Sequence, residues 1–162
     1  MSDTGKPKLR APALDPATVK PRTGTIYPDA FKAAVDGRSK QALGNALGLT
    51  NFGVNLTRLK PGAASALRHW HTRQDEFVYV VQGEATLVTD EGEQILGAGM
   101  AAGFPAGTQN GHHLVNRSTA DVLYLEIGDR TPGDEAGYPD DDLHLRIVDG
   151  AFRFYRKDGT PY

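Results

Sequence analysis

Through the middle of the chain, apolar residues recur at every second position rather than every third or fourth. Phe52, Val54 and Leu56 alternate with small or polar residues until Lys60-Pro61-Gly62 interrupts the run, which is the period of a strand with one buried face. The next predicted strand carries Leu67, His69 and His71 on one face, with Arg68 and Trp70 on the other. A third, Glu76–Gln82, places Glu76, Val78 and Val80 on one side and Phe77, Tyr79 and Val81 on the opposite side. Both of its faces are largely apolar, so this strand is expected to be covered on both sides, with Trp70 beside the outer aromatic residues. Leu87-Val88-Thr89 and Gln94-Ile95-Leu96, around Asp90-Glu91-Gly92-Glu93, predict a hairpin. Residues 100–104, 112–116 and 122–127 predict further strands.

The two ends read differently. Residues 1–28 hold Pro7, Pro12, Pro16, Pro21 and Pro28 and have no apolar period. Proline fixes its own φ and biases the preceding residue toward extended backbone, so an N-terminal arm is expected. Its first dozen residues should be loose, and the remainder laid along a sheet or a partner subunit. Residues 29–36, followed by Gly37, predict one short helix closed by glycine. Residues 29–162 are expected to form a single domain. The acidic stretch with Asp134, Glu135, Asp140, Asp141 and Asp142 does not match an EF-hand spacing and reads as a solvated connection. Leu143–Val148 and Ala151–Tyr155, joined by Asp149-Gly150, predict a C-terminal hairpin. Arg146, Arg153, Arg156 and Lys157 give it a basic, exposed face.

Composition supports the β reading: 19 glycines and 10 prolines in 162 residues suit short strands and tight turns. This length makes one ordinary core. A formal net charge of −2 offers no electrostatic footprint for nucleic acid or an anionic membrane. The absence of cysteine excludes disulfides, thiolate zinc sites and thiol nucleophiles, and fits a reducing cytoplasm. The N-terminus leads into no apolar stretch, so neither a signal peptide nor a membrane span is expected, and the expected location is cytoplasmic.

Four of the five histidines fall in two short segments, His69-Trp70-His71 and His112-His113. Histidines at i and i+2 share one face of a strand. With Glu76 nearby they form a nitrogen–oxygen donor set suited to a first-row divalent metal, like the two-histidine, one-carboxylate set of non-haem iron sites.

Gly62, then His69-Trp70-His71, Glu76 and Gly83, resembles the first sequence motif of the cupin superfamily. Gly99, Pro105-Ala106-Gly107, His112 and Asn116 resemble the second. The resemblance covers roughly residues 62–116. It implies a cupin-type antiparallel β-barrel, a double-stranded β-helix or jelly roll, here extended by the arm and the hairpin. It also implies metal binding by His69, His71, Glu76 and His112. The gap from Gly62 to His69 is one residue longer than usual, and about two extra residues lie within Thr108-Gln109-Asn110-Gly111. This leaves His112 and His113 as alternatives for the fourth ligand, since alternation lets only one face inward; the spacing to Asn116 favours His112. Donor type allows Zn, Fe, Mn, Ni or Co.

Such barrels host many chemistries, and the fold alone names none. The leading expectation is a metal-dependent isomerase or epimerase of a small sugar or sugar phosphate. Glu76 would then be a ligand, so acid–base work falls to other residues, with Tyr79, Gln109 and His113 as candidates. A non-haem iron or manganese dioxygenase and a non-enzymatic small-molecule sensor are the alternatives. A small-molecule partner is expected in each case. The apolar outer face at Phe77, Tyr79 and Val81 predicts a homodimer related by two-fold symmetry.

Overall fold

The computed structural model describes residues 9–162. It is built almost wholly from antiparallel strands: β1 (Arg38–Ala42), β2 (Phe52–Leu59), β3 (Trp70–His71), β4 (Glu76–Gln82), β5 (Glu84–Thr89), β6 (Gly92–Gly97), β7 (Ala101–Phe104), β8 (His113–Val115), β9 (Val122–Asp129), β10 (Glu135–Tyr138), β11 (Leu143–Val148) and β12 (Ala151–Tyr155). They form a five-stranded sheet ordered β1-β2-β9-β4-β7, a four-stranded sheet β12-β11-β10-β3 and a three-stranded sheet β6-β5-β8. This is the expected cupin-type all-β barrel. One four-residue α-helix (Leu43–Ala46) joins β1 to β2. No helix among the described residues is long and apolar enough to cross a membrane.

Two apolar clusters hold the sheets together. Leu59, Val78, Val80, Leu87, Leu114, Val122 and Tyr124 fill the space between the five- and three-stranded sheets. Tyr27, Val35, Ala136, Tyr138, Leu143 and Leu145 form a second cluster against the four-stranded sheet. The arm therefore contributes to a core: Tyr27 packs edge-on against Tyr138 and Phe154. Backbone bonds between Arg22 and Lys40, in both directions at 2.9 Å, tie the arm to edge strand β1. The expectation of a loose first dozen residues falls largely on residues 1–8, outside the described part.

The predicted helix at residues 29–36 is a 3₁₀ helix, Asp29–Val35, followed by Gly37 at φ +80. The C-terminal hairpin forms as predicted, with Asp149 and Gly150 both at positive φ (51 and 74), the backbone of a type I′ turn. Gly83 links β4 to β5 at φ +82, where an added Cβ would lie 2.7 Å from the Asp121 carbonyl, so both conformation and space require glycine.

Two expectations are corrected. The acidic stretch is not simply a solvated connection: Asp134 is buried, and Glu135–Tyr138 is a strand that pairs with β3 and β11. The described residues leave the outer face of β4 open, with Phe77, Tyr79 and Val81 each about 40% exposed. Trp70 is not beside them. It lies in the four-stranded sheet opposite Gly137, where its ring occupies the space a side chain would fill.

Candidate metal centre

His69 and His71 reach the barrel interior from the short segment that leads into and forms β3. His69 exchanges backbone bonds with His112 (3.2 and 2.9 Å), which brings the two histidine segments side by side. His71 pairs with Ala136 of β10. The chain must then turn within residues 72–75 to begin β4, and buried Asp134 shapes that turn. Its Oδ1 accepts from the Arg73 N–H (2.8 Å), the Gln74 N–H (3.3 Å) and the Thr72 hydroxyl (3.2 Å). Glu76 follows at the start of β4, opposite Phe104 and Gly128.

The three side chains converge. His69, His71 and Glu76 each offer a donor atom, all within 4.8 Å of one another. Both imidazole Nε2 atoms lie 3.6 Å from Glu76 Oε2, and His112 Nε2 lies 2.9 Å from the same oxygen. Every Nδ1 is turned outward onto an acceptor: His69 to the Leu67 carbonyl (2.8 Å), His71 to Asp134 Oδ2 (2.5 Å) and His112 to the Asn110 carbonyl (3.3 Å). Outer acceptors of this kind hold the proton on Nδ1 and leave the Nε2 lone pair facing inward. Phe104 stacks on His112 with ring planes 2° apart, and Tyr138 stacks on His69. The rings are fixed by packing as well as by hydrogen bonds.

Electrostatics agree with this assignment. Burial pushes the His69 imidazole down to about 4 despite the Glu76 carboxylate, so it is neutral near pH 7. Burial would raise the Glu76 carboxyl, but the His112 contact and the charges of His69 and His71 pull it down to about 2. Burial also opposes protonation of His71, yet Asp134 and Glu76 outweigh it and raise its pKa. Without a cation, the neutral His69 turns its Nε2 lone pair toward a carboxylate oxygen across 3.6 Å, acceptor against acceptor, and His71 is drawn toward protonation by the same carboxylate. A divalent ion between them satisfies all these groups, so the residues fit a metal.

The centre opens into a cavity of about 600 Å³. A second polar group lies on its wall. Glu126 Oε1 accepts from Lys40 Nζ (2.6 Å) and Asn55 Nδ2 (3.1 Å), and Tyr124 donates its hydroxyl to Oε2 at 3.4 Å. Strand register explains the placement. Glu126 pairs with Val78, two residues from Glu76 on the same face of β4, which makes the carboxylates diagonal neighbours across the sheet.

The residues named from sequence separate accordingly. His69, His71, Glu76 and His112 come together. His113 lines the cavity, but its Nδ1 is engaged by the Ala66 carbonyl at 2.9 Å, and burial lowers its pKa. Tyr79 stands on the outer face of β4, and Gln109 is exposed and does not line the cavity. The extra residues of the second motif form a tethered loop, in which Asn110 accepts from the Asp90 N–H and Gly111 packs against Pro139. Sequence reading missed Asp134 and the Lys40–Glu126 pair. Asp134 was hidden in an acidic run, and only the pairing of β9 with β4 brings Glu126 to the site.

A β-barrel with an interior set of imidazoles and one carboxylate defines a class of barrel metal centres. The Cupin domain family matches residues 55–128. The sugar phosphate isomerase of the cupin superfamily from Silicibacter pomeroyi is 49% identical, with a TM-score of 0.90 over 93% of this chain and 96% of that one. The chain belongs to the cupin superfamily. A proposed sugar phosphate isomerase from Acidithiobacillus ferrooxidans is 29% identical, with a TM-score of 0.71 over 77% of this chain and 80% of that one. The polyketide cyclase RemF from Streptomyces resistomycificus shares the fold at 20% identity and a TM-score of 0.62, over 75% of this chain and 82% of that one. No curated protein matches the chain in sequence.

Proposed function

We propose that this protein is a metal-dependent isomerase or epimerase of a small sugar or sugar phosphate. The observation that carries the reading is the convergence of His69, His71 and Glu76 at one end of a cavity that also holds Lys40 and Glu126. The 49% identity to a protein named as a sugar phosphate isomerase supports the same class.

His69, His71, Glu76 and His112 would hold the ion, which when bound supplies Lewis-acid polarisation of a carbonyl or adjacent hydroxyls. The chain supplies the rest. Phe104, Tyr138 and Val78 give the site an apolar wall. Glu76 is committed to the ion, so proton movement needs another group facing the cavity. Glu126 is a carboxylate there, with Lys40 beside it to hold its charged form. His113 is the second candidate: with Nδ1 donating to Ala66, its Nε2 is left free to accept a proton.

The test is a panel of aldoses, ketoses and their phosphates incubated with the protein in D₂O and followed by NMR. Interconversion of one pair, abolished by chelator and restored by metal, is the expected result. Substrate-dependent O₂ uptake without interconversion would instead establish the dioxygenase.

A further inference from the structure

We infer that Arg38 and Arg22 form a seat for a phosphate group at the end of the cavity away from the metal centre, so the substrate is a phosphorylated polyol. This rests on the isomerase reading for the word substrate, and on the cavity for the seat itself.

The argument begins with charge. Three cations line the cavity: Arg22, Arg38 and Lys40. Lys40 is neutralised by Glu126 at 2.6 Å. Arg38 has no carboxylate partner among the described residues. Its guanidinium donates to two carbonyls, Ser65 at 2.5 Å and Gly24 at 3.2 Å, which orient the group without cancelling its charge. Arg22 has no side-chain hydrogen bond or ion pair among the described residues. Two arginines without a carboxylate partner among the described residues therefore line one cavity in a protein whose net charge is −2.

Placement supports the seat. Arg38 and Lys40 are successive residues on one face of β1, and the paired backbones of Arg22 and Lys40 hold Arg22 beside them. Along the sheet, Arg38 shares a row with Leu59 and Val122. Lys40 shares the next with Thr57 and Tyr124, Glu126 the next with Asn55, and Glu76 the one beyond with Gly128. The cations and the metal centre thus lie at opposite ends of the rows, with Glu126 between them. Thr23 and Thr25, on the same arm wall, add hydroxyl donors. Guanidinium forks suit phosphate oxygens; Arg38 is half-buried, and Arg22 reaches the seat from the exposed arm. A polyol whose carbonyl end lies at the metal would carry its phosphate toward Arg38 and Arg22, past Glu126.

The test is calorimetry on the full-length, metal-loaded protein at fixed ionic strength, with inorganic phosphate, ribose 5-phosphate and ribose as probes. Wild type should bind ribose 5-phosphate at least about tenfold more tightly than ribose. Arg38→Met and Arg22→Met should each remove most of that advantage and leave metal content intact. Arg58→Met, which breaks a surface pair with Asp121, should change nothing. Arg38→Met also loses the contacts to Ser65 and Gly24, so Arg22→Met, which touches neither, decides the matter if the first variant fails to fold. Phosphate binding that survives both arginine variants but disappears with His71→Ala overturns the seat, because the anion then sits on the metal. Equal affinity for ribose and ribose 5-phosphate also overturns it. Arginine-dependent phosphate binding without any sugar interconversion would retain the seat and remove the isomerase reading.

Discussion

Replacing Asp134 with asparagine should reduce metal affinity while leaving the fold nearly intact. Asp134 is almost fully buried and uses its two oxygens differently. Oδ1 accepts from Thr72, Arg73 and Gln74, whereas Oδ2 accepts from His71 Nδ1 at 2.5 Å. In Asp134→Asn the amide oxygen must stay on the Oδ1 side, because three donors point there. The NH₂ group then faces His71 and can only donate. His71 must accept at Nδ1, which moves its proton to Nε2, the atom that faces Glu76. That tautomer cannot ligate. Loss of an outer partner alone typically costs 10–100-fold in metal affinity, and the forced tautomer should bring the loss to the upper end of that range. Asp134→Ala should lose metal as well, and should also destabilise the fold by about 1 kcal/mol or more, since the part-buried N–H groups of Arg73 and Gln74 lose their acceptor. A chelator competition titration measures affinity, and thermal unfolding of the metal-free proteins separates the fold contribution. Affinity within twofold of wild type in Asp134→Asn would refute the tautomer argument.

Three further outcomes follow from the geometry. His112→Ala should lose metal and His113→Ala should retain it, because only His112 reaches Glu76; elemental analysis of both variants checks this, and the reverse result would assign the fourth position to His113. Gly137→Ala should destabilise the protein by about 1–3 kcal/mol in denaturant titration, because its Cβ would lie 2.7 Å from the Trp70 ring and push β3 off β10. The exposed Phe77, Tyr79 and Val81 face is proposed to be the contact of a two-fold homodimer; light scattering should give a dimer mass for wild type and a monomer mass for Tyr79→Glu, and a wild-type monomer that persists on concentration would remove that proposal.

The strand alternation of Glu76–Gln82, the hairpin at Asp149-Gly150 and the meeting of the two histidine segments were legible in the sequence, because each depends on a local period, a turn dipeptide or a motif. Asp134 was not legible. Carboxylates in a run look alike until a turn such as residues 72–75 selects one by presenting N–H groups to it. Glu126 and Arg38 were not legible either: the pattern around Glu126 says only which face it occupies, no strand was expected at Arg38, and the neighbours of both are set by sheet order. What covers the outer face of β4 was not legible, because apolarity there looks the same whether a partner strand or a second subunit covers it.

The central claim is that His69, His71 and Glu76 hold a divalent ion. Elemental analysis of protein purified without added metal tests it most directly, with wild type compared to His69→Ala and His71→Ala. The account predicts about one first-row divalent ion per chain in wild type and little in either variant, because loss of one imidazole leaves an incomplete shell. Full retention of metal by both variants would contradict it.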